Sequence, residues 1–145
     1  SSNEGISAKA HTRSMNDMSI MLGKLIYKLL SNDEWLSQRV TPKKISPLVA
    51  NAETTYPFIV YSRTSLRVDY CKDGVLENNV EFQVVSVSDN YVESLEVANR
   101  VRGVLELLRY KDEGITISEC KLSSVSEEYM EDAFIQRLTF VIKSN

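Results

Sequence analysis

The sequence has little of what most enzymes use for catalysis. It contains one histidine, His11, and two cysteines, Cys71 and Cys120, among 145 residues. A single histidine leaves Ser-His and Cys-His nucleophile arrangements without a base and removes the commonest metal ligand. The two cysteines show no Cys-x-x-Cys spacing, which favours two reduced thiols over a disulfide and implies no metal site.

Charge, glycine and hydropathy exclude further classes of protein. The net charge is -3 and the basic residues are scattered, whereas binding to a phosphate backbone needs clustered Lys and Arg. The five glycines are isolated, so no phosphate-binding loop is present. No run reaches the roughly 18 consecutive apolar residues of a membrane-spanning helix. We therefore expect no direct sequence-specific contact with nucleic acid, no membrane and no nucleotide cofactor.

Carboxylates are the remaining catalytic candidates. Glu127, Glu128, Glu131 and Asp132 form the densest acidic group, in a hydrophilic stretch from Ser124 to Asp132. Paired carboxylic acids do acid-base work only where burial separates their pKa values, and nothing in this stretch predicts burial. The interpretation is a solvated acidic hairpin loop. The sequence predicts no enzyme, no catalytic residue, no cofactor and no bound metal.

The chain divides into a leader and one folded unit. Residues 1–17 are poor in apolar side chains, and we expect a flexible leader, part of which an expression vector could supply. Residues 18–145 are expected to form a single α+β domain.

Two segments have the periodicity of one-sided helices. From Met18 to Leu30 the apolar residues recur at intervals of three and four, and the same spacing recurs from about Tyr91 to Leu108. Asn90, with Glu93 three residues later, is typical of a helix start.

The most distinctive stretch runs from Tyr56 to Val87 and predicts an unusually long β-hairpin. Its first strand alternates from Phe58 through Leu66 to Tyr70, and Asp73-Gly74 supplies a tight turn. A change of phase near Val84 in the return strand predicts a bulge or a buried stretch.

Two more strands are expected, from Ile115 to Ser123 and from Ala133 to Lys143. The predicted order is α-β-β-α-β-β. This order favours a two-layer α+β sandwich in which two helices pack on one face of a four-stranded antiparallel sheet with a long β1-β2 hairpin.

The far half of the long hairpin is more apolar than a solvated ribbon requires. Its apolar residues are candidates for a subunit interface: Leu66, Val68, Tyr70, Val75 and Leu76. Burying four or five such side chains on a neighbour is worth roughly 6 to 15 kcal/mol before the cost of association. The alternative is that the ribbon curls over its own helices, which would make these residues core.

Several short sequence segments, which we call phrases, resemble those of a known family, the tail-completion or tail-terminator-like proteins of long-tailed phages and prophages. The similar phrases lie between Met18 and Ile142 and are Lys44-Ile45-Ser46-Pro47-Leu48-Val49-Ala50, Tyr56-Pro57-Phe58-Ile59-Val60-Tyr61, Lys72-Asp73-Gly74, and the strand and helix from Glu81 to Leu108. The acidic group from Glu127 to Asp132 matches no motif of the family.

The resemblance implies a structural virion protein. Such a subunit is made in the bacterial host cytoplasm, forms a homo-oligomeric ring that is expected to be a hexamer, caps the tail tube and meets a head-side connector protein. The alternative is a small ferredoxin-like binding or regulatory module that holds a ligand in an apolar pocket.

Overall fold

The computed structural model describes residues 20–70, 76–112 and 114–144, without the side chains at 76 and 112. The expected leader with His11 lies outside these ranges, as do Cys71, the Asp73-Gly74 turn and Val75. Within the described ranges, no helix combines the length and apolar character needed to cross a membrane.

The described residues form three α-helices and six strands. The helices are α1 (Leu22–Asn32), α2 (Glu34–Arg39) and α3 (Tyr91–Leu105). A short 3-10 helix, Pro42–Lys44, precedes the sheet. The strands are β1 (Ile45–Pro47), β2 (Phe58–Tyr70), β3 (Leu76–Ser88), β4 (Tyr110–Asp112), β5 (Ile115–Met130) and β6 (Ala133–Ser144).

All six strands belong to one mixed sheet, in the order β1-β2-β3-β6-β5-β4, which is curled into a half-barrel. β1 runs parallel to β2, and every other neighbouring pair is antiparallel. The expected four-stranded antiparallel sheet with two helices in the order α-β-β-α-β-β is therefore wrong.

The elements missing from the predicted order are short. β1 and β4 have three residues each, and α2 has six. Segments of this length carry too few positions for a period to appear, so their structure depends on tertiary pairing. β1 is held by its parallel pairing, in which Ile45 lies opposite Ile59.

The expected acidic loop from Ser124 to Asp132 is mostly strand. β5 continues to Met130, and Glu131 and Asp132 alone connect it to β6. Their φ values of 53° and 64° have the signs of a type I′ turn. Asn-Gly and Asp-Gly are the usual sequences of that turn, so Glu-Asp did not mark the position of the tight turn, and the hairpin was expected with a longer loop. The four carboxylates are exposed, as expected, but two of them lie on a strand.

The change of phase near Val84 marks a buried stretch of β3 from Val84 to Ser88, where only Val85 is partly exposed. The bulge lies in β2, where the sequence pattern did not predict it. The register with β3 shifts between Arg63 and Ser65, so one residue is added to β2 at Thr64. The shift moves Leu66 to the face of Ile59 and Tyr61, not to the face of Phe58 on which alternation had put it. A bulge reverses the in-and-out phase of every residue beyond it, which is why simple alternation failed there.

The core lies between the helices and one face of the sheet. α1 packs against β1 and β2, α3 packs against β3 and β6, and α2 contacts both helices. Gly23 of α1 lies against Tyr61 and Phe82 of this sheet face. The largest fully buried side chains come from both layers: Leu22, Ile26, Leu30, Leu36, Ile59, Leu105, Ile117, Leu138, Phe140 and Ile142.

Polar caps mark where α2 and α3 begin. Asn90 accepts a hydrogen bond from the Glu93 amide at 2.9 Å, which confirms the predicted start of α3. Asp33 caps α2 by accepting from the Leu36 amide at 3.0 Å. Arg100 of α3 donates to both Asp33 oxygens, at 2.9 and 2.7 Å. One carboxylate thus ties α2 to α3.

The Asp33 carboxylate makes folding stability depend on pH. Its hydrogen bonds from Arg100 hold the pKa of Asp33 below its ordinary value of 3.8. A lowered folded-state pKa stabilises the fold above the unfolded-state pKa, and this stabilisation is lost as the pH falls through the folded-state value. Asp33→Asn keeps a capping oxygen and removes the charge. We expect it to cost up to about 1 kcal/mol at pH 7, because Arg100 is half exposed. Urea titrations should show that this difference shrinks as the pH falls below the unfolded-state pKa and vanishes once the folded-state carboxyl is protonated.

Candidate subunit interface

The predicted interface residues divide into three groups. Leu66 packs against the hydrophobic core, and Val68 is half-buried on the same face of β2. Tyr70 is 77% exposed. Val75 and the side chain of Leu76 lie outside the described residues. Of the five candidates, Tyr70 is the one whose described side chain is open to a partner.

The long β2-β3 hairpin projects less than its length suggests. β6 pairs with β3 from Ser88 back to Asn78, so the sheet supports most of the hairpin. Only the last two pairs, Asp69 with Glu77 and Tyr70 with Leu76, lie beyond the described end of β6. Val80, opposite Leu66, is fully buried. Most of the predicted ribbon is therefore part of the core sheet.

The second half of β5 is a more exposed stretch of strand than the described tip of the hairpin. Every residue from Ser123 to Met130 is exposed, although all but Ser123 pair with β6 in register. The exposed apolar side chains there include Val125 at 51% and Tyr129 at 59%. No described strand pairs with the other edge of this half, because β4 reaches only Ile115 to Ile117. We call residues 123–130 the open half of β5.

A small aromatic and polar cluster fixes the end of this hairpin against α3. The Phe134 ring lies 4.8 Å from Tyr129 and 5.4 Å from Tyr91, measured between ring centroids. Glu127 accepts hydrogen bonds from the Tyr91 hydroxyl at 2.9 Å and from Gln136 at 3.2 Å. The bond to Glu127 raises the pKa of Tyr91. These contacts hold the open half of β5 in a defined position while leaving its outer edge exposed.

Two leucines adopt a backbone conformation that favours glycine. Leu48 has φ 65° and Leu107 has φ 63°, and they are 76% and 75% exposed. Each donates its backbone N–H to a strand at the side of the sheet: Leu48 to the Tyr61 carbonyl and Leu107 to the Cys120 carbonyl, both at 2.8 Å. Left-handed geometry costs a non-glycine residue about 1–2 kcal/mol. Neither leucine gains this back by burial, so both are candidates for contact with a partner.

The chemistry available to these groups is limited. Burial, with a smaller contribution from Glu106, raises the pKa of Cys120 to about 12, so its thiol is protonated at neutral pH. Within the described ranges, no three His, Cys, Asp or Glu side chains are grouped so as to hold a metal.

One apolar cavity of about 410 Å³ lies beside α1. Lys24 and Lys28 contribute to its wall, together with Met21, Leu25, Tyr27, Ser31, Tyr110 and Ile115. It is separate from the open half of β5. A cavity of this size is within the usual range for small-molecule sites.

The fold is similar to that of a chain in a solved structure. It is a chain in the virion of a native gene transfer agent particle, and the match covers 82% of this chain and 90% of that chain with a TM-score of 0.68. The two share their fold. At 14% sequence identity the similarity is structural, and residue roles do not transfer. No family model matches the chain, and no curated protein matches it.

Two candidate contact features, Leu48 and the open half of β5, were not predicted from the sequence. Leu48 lies within a phrase that carries the family resemblance, but its left-handed backbone gives no sequence signal. The open half of β5 does have one, because Val125, Glu127 and Tyr129 alternate with neighbours that face the other way. Its acidic composition had hidden this period-two pattern.

Charge at the hairpin tip should separate a contact role from a core role. We expect Tyr70→Glu to change the free energy of unfolding by less than about 0.5 kcal/mol, because the side chain is exposed. Leu66→Glu should cost several times more, since it places a charge against the core. If Tyr70 contacts another copy, Tyr70→Glu also lowers the mass seen by light scattering. An unchanged mass distribution would remove Tyr70 from the interface.

Glycine at the left-handed leucines should stabilise the isolated chain. Leu48→Gly and Leu107→Gly remove backbone strain, and each is expected to raise the free energy of unfolding by about 0.5–1 kcal/mol. Leu95→Gly is the matched control: it is a partly exposed leucine inside α3, and there glycine should destabilise by about 1 kcal/mol. Chemical denaturation of the monomer measures all three. Loss of stability at Leu48 would show that its side chain supports the fold.

Proposed function

We propose that the chain is a structural subunit of a phage-like virion, and specifically a tail-terminator or tail-completion subunit that forms a ring at the head-proximal end of a tail. The observation that carries the proposal is the shared fold with a chain of the gene transfer agent virion, over most of both chains. The family phrases around Leu48 and Tyr61 support the finer role.

The surface of the described residues suits a subunit that works by contact. Exposed apolar side chains occur at both sides of the sheet, with Leu48 on one side and Val125 and Tyr129 on the other. A closed ring needs two different surfaces on each copy, because every copy contacts one neighbour with each. The proposed partners are other copies, a tail tube protein and a head-side connector protein. Catalysis forms no part of this role.

Assembly in solution tests the ring. We expect the measured mass to rise with protein concentration from monomer towards one closed species, seen in negative-stain images as rings of uniform diameter. Some rings of this kind close only on the tail, so the protein should also be added to growing tubes of a tail tube protein from the same particle. A terminator shortens the tubes and labels one end. A monomer that leaves tube length unchanged contradicts the proposal.

The cavity beside α1 favours the second candidate, a small binding module. Its wall is mainly apolar, with Lys24 and Lys28 as cationic groups that suit an amphipathic anion. Calorimetry with a fatty acid probe tests this candidate, with Leu25→Trp as the variant that fills the cavity. Binding that this variant abolishes, in a protein that does not assemble, would support a binding module over the ring.

A further inference from the structure

Each side of the sheet ends in a short strand that covers only part of the long strand beside it. We call the place where the short strand stops a step. On one side, β1 covers β2 from Ile59 to Tyr61, and no described strand covers β2 from Ser62 to Tyr70. On the other side, β4 covers β5 from Ile115 to Ile117, and the open half of β5 has no outer partner among the described strands. Among the described residues, each side therefore has one short added strand and one long stretch of edge without a partner strand.

The steps occur at opposite ends of the strands. β1 lies beside the start of β2, which is level with Val125 to Glu127 of β5 through the registers of β3 and β6. β4 lies beside the start of β5, level with Val68 of β2. A second copy placed beside the first puts its β1 next to the open half of β5, where β4 is absent. Its β2 then lies next to β4.

Strand direction is consistent with this arrangement. β2 and β6 run one way, and β3 and β5 run the other way, while β1 is parallel to β2. Rotation about an axis along the strands preserves these directions. β1 of one copy therefore meets β5 of its neighbour antiparallel, which is the more stable pairing per residue.

The charges beside the two edges are opposite. Lys43 and Lys44 immediately precede β1, whereas Glu127, Glu128, Glu131 and Asp132 lie at the end of the β5-β6 hairpin. Lys44 donates to the Tyr56 carbonyl at 3.3 Å and Lys43 is exposed. Glu128 pairs with Arg137 at 2.5 Å, and Asp132 accepts from Tyr129 at 3.4 Å. The remaining negative charge at the turn favours a basic neighbour.

The exposed left-handed leucines lie at the corners of the steps. Leu48 follows β1, and Leu107 precedes β4. In the stepped arrangement, β1 of one copy and β4 of the next copy lie end to end along the outer edge of that next copy's β5. Both leucines then face the junction between them, which gives their exposed side chains a common surface to cover.

We propose that copies of this chain join head to tail through these stepped edges, with β1 of one copy pairing antiparallel with the open half of β5 of the next. This inference rests on the proposed ring and identifies its interface. An unpaired edge strand is a template for pairing with another chain, and sheet extension supplies main-chain hydrogen bonds to such a contact.

Cysteine pairs across the junction test the pairing. Ser46 shares a row with Ser126 through Val60, Val85 and Arg137. Ser46→Cys protein is mixed with Ser124→Cys, Ser126→Cys or Glu128→Cys protein. The three positions lie on one face of β5, two residues apart, because the tilt of strands in a ring can shift the register between copies. All carry Cys71→Ser, and the buried native Cys120 is retained. Val125→Cys, on the opposite face of β5, is the matched control.

We expect at least about tenfold more disulfide-linked dimer from one of the three mixtures than from the Val125→Cys control, because side chains that point apart cannot be bridged. A chain that carries both cysteines should give a covalent ladder that ends at the ring size. Homodimers from Ser126→Cys alone would indicate a two-fold contact and overturn the proposal. Absence of mixed dimers in protein that assembles, by mass measured before oxidation, would overturn the edge pairing and leave the ring. Absence of assembly both in solution and on the tail tube would overturn both.

Discussion

The pairing of β3 with β6 is the constraint on which the rest of the structure depends. It runs in unbroken register from Asn78 to Ser88 and joins two hairpins that are distant in sequence. Because it is continuous, it determines which residues of all four long strands share a row. Val84 and Leu138 then face α3 and the core, while Val85 and Arg137 face away. A slip of one residue would put Phe82 and Phe140 on opposite faces of the sheet, so one of the two strands would lose its buried side chains from the core.

The sequence predicted the long elements for physical reasons that also explain its failures. α3 repeats its apolar period and has its own cap at Asn90, so local information is sufficient for it. β1 has three residues and is stabilised by Ile59, fourteen positions away, so no local pattern could reveal it. The bulge at Thr64 depends on the pairing of β2 with β3 both before and after that residue. Elements determined by a distant partner were those that periodicity missed.

The candidate interface proposed from the structure has a weaker sequence signal than the fold, for a related reason. Apolar content drew attention to Leu66, but an apolar side chain on a strand is used equally well by its own core, and Leu66 packs there. The open half of β5 is polar and acidic, which is typical of a solvated loop. What distinguishes it is that no strand in the described part of the chain pairs with its outer edge, and such an absence leaves no pattern of its own in the sequence.

Stability and assembly make opposite demands at the sides of this sheet. A monomer is best protected by short, covered or charged edges, and it gains nothing from leucine in left-handed backbone at Leu48 and Leu107. A subunit that must join two neighbours needs both edges free until assembly. The acidic turn at Glu131 and Asp132 reconciles the two demands. Its charge repels an identical acidic turn and so disfavours non-specific stacking of the same edges. In the proposed ring it attracts the basic segment before β1 of a neighbouring copy, which makes the edge selective for one orientation of that copy.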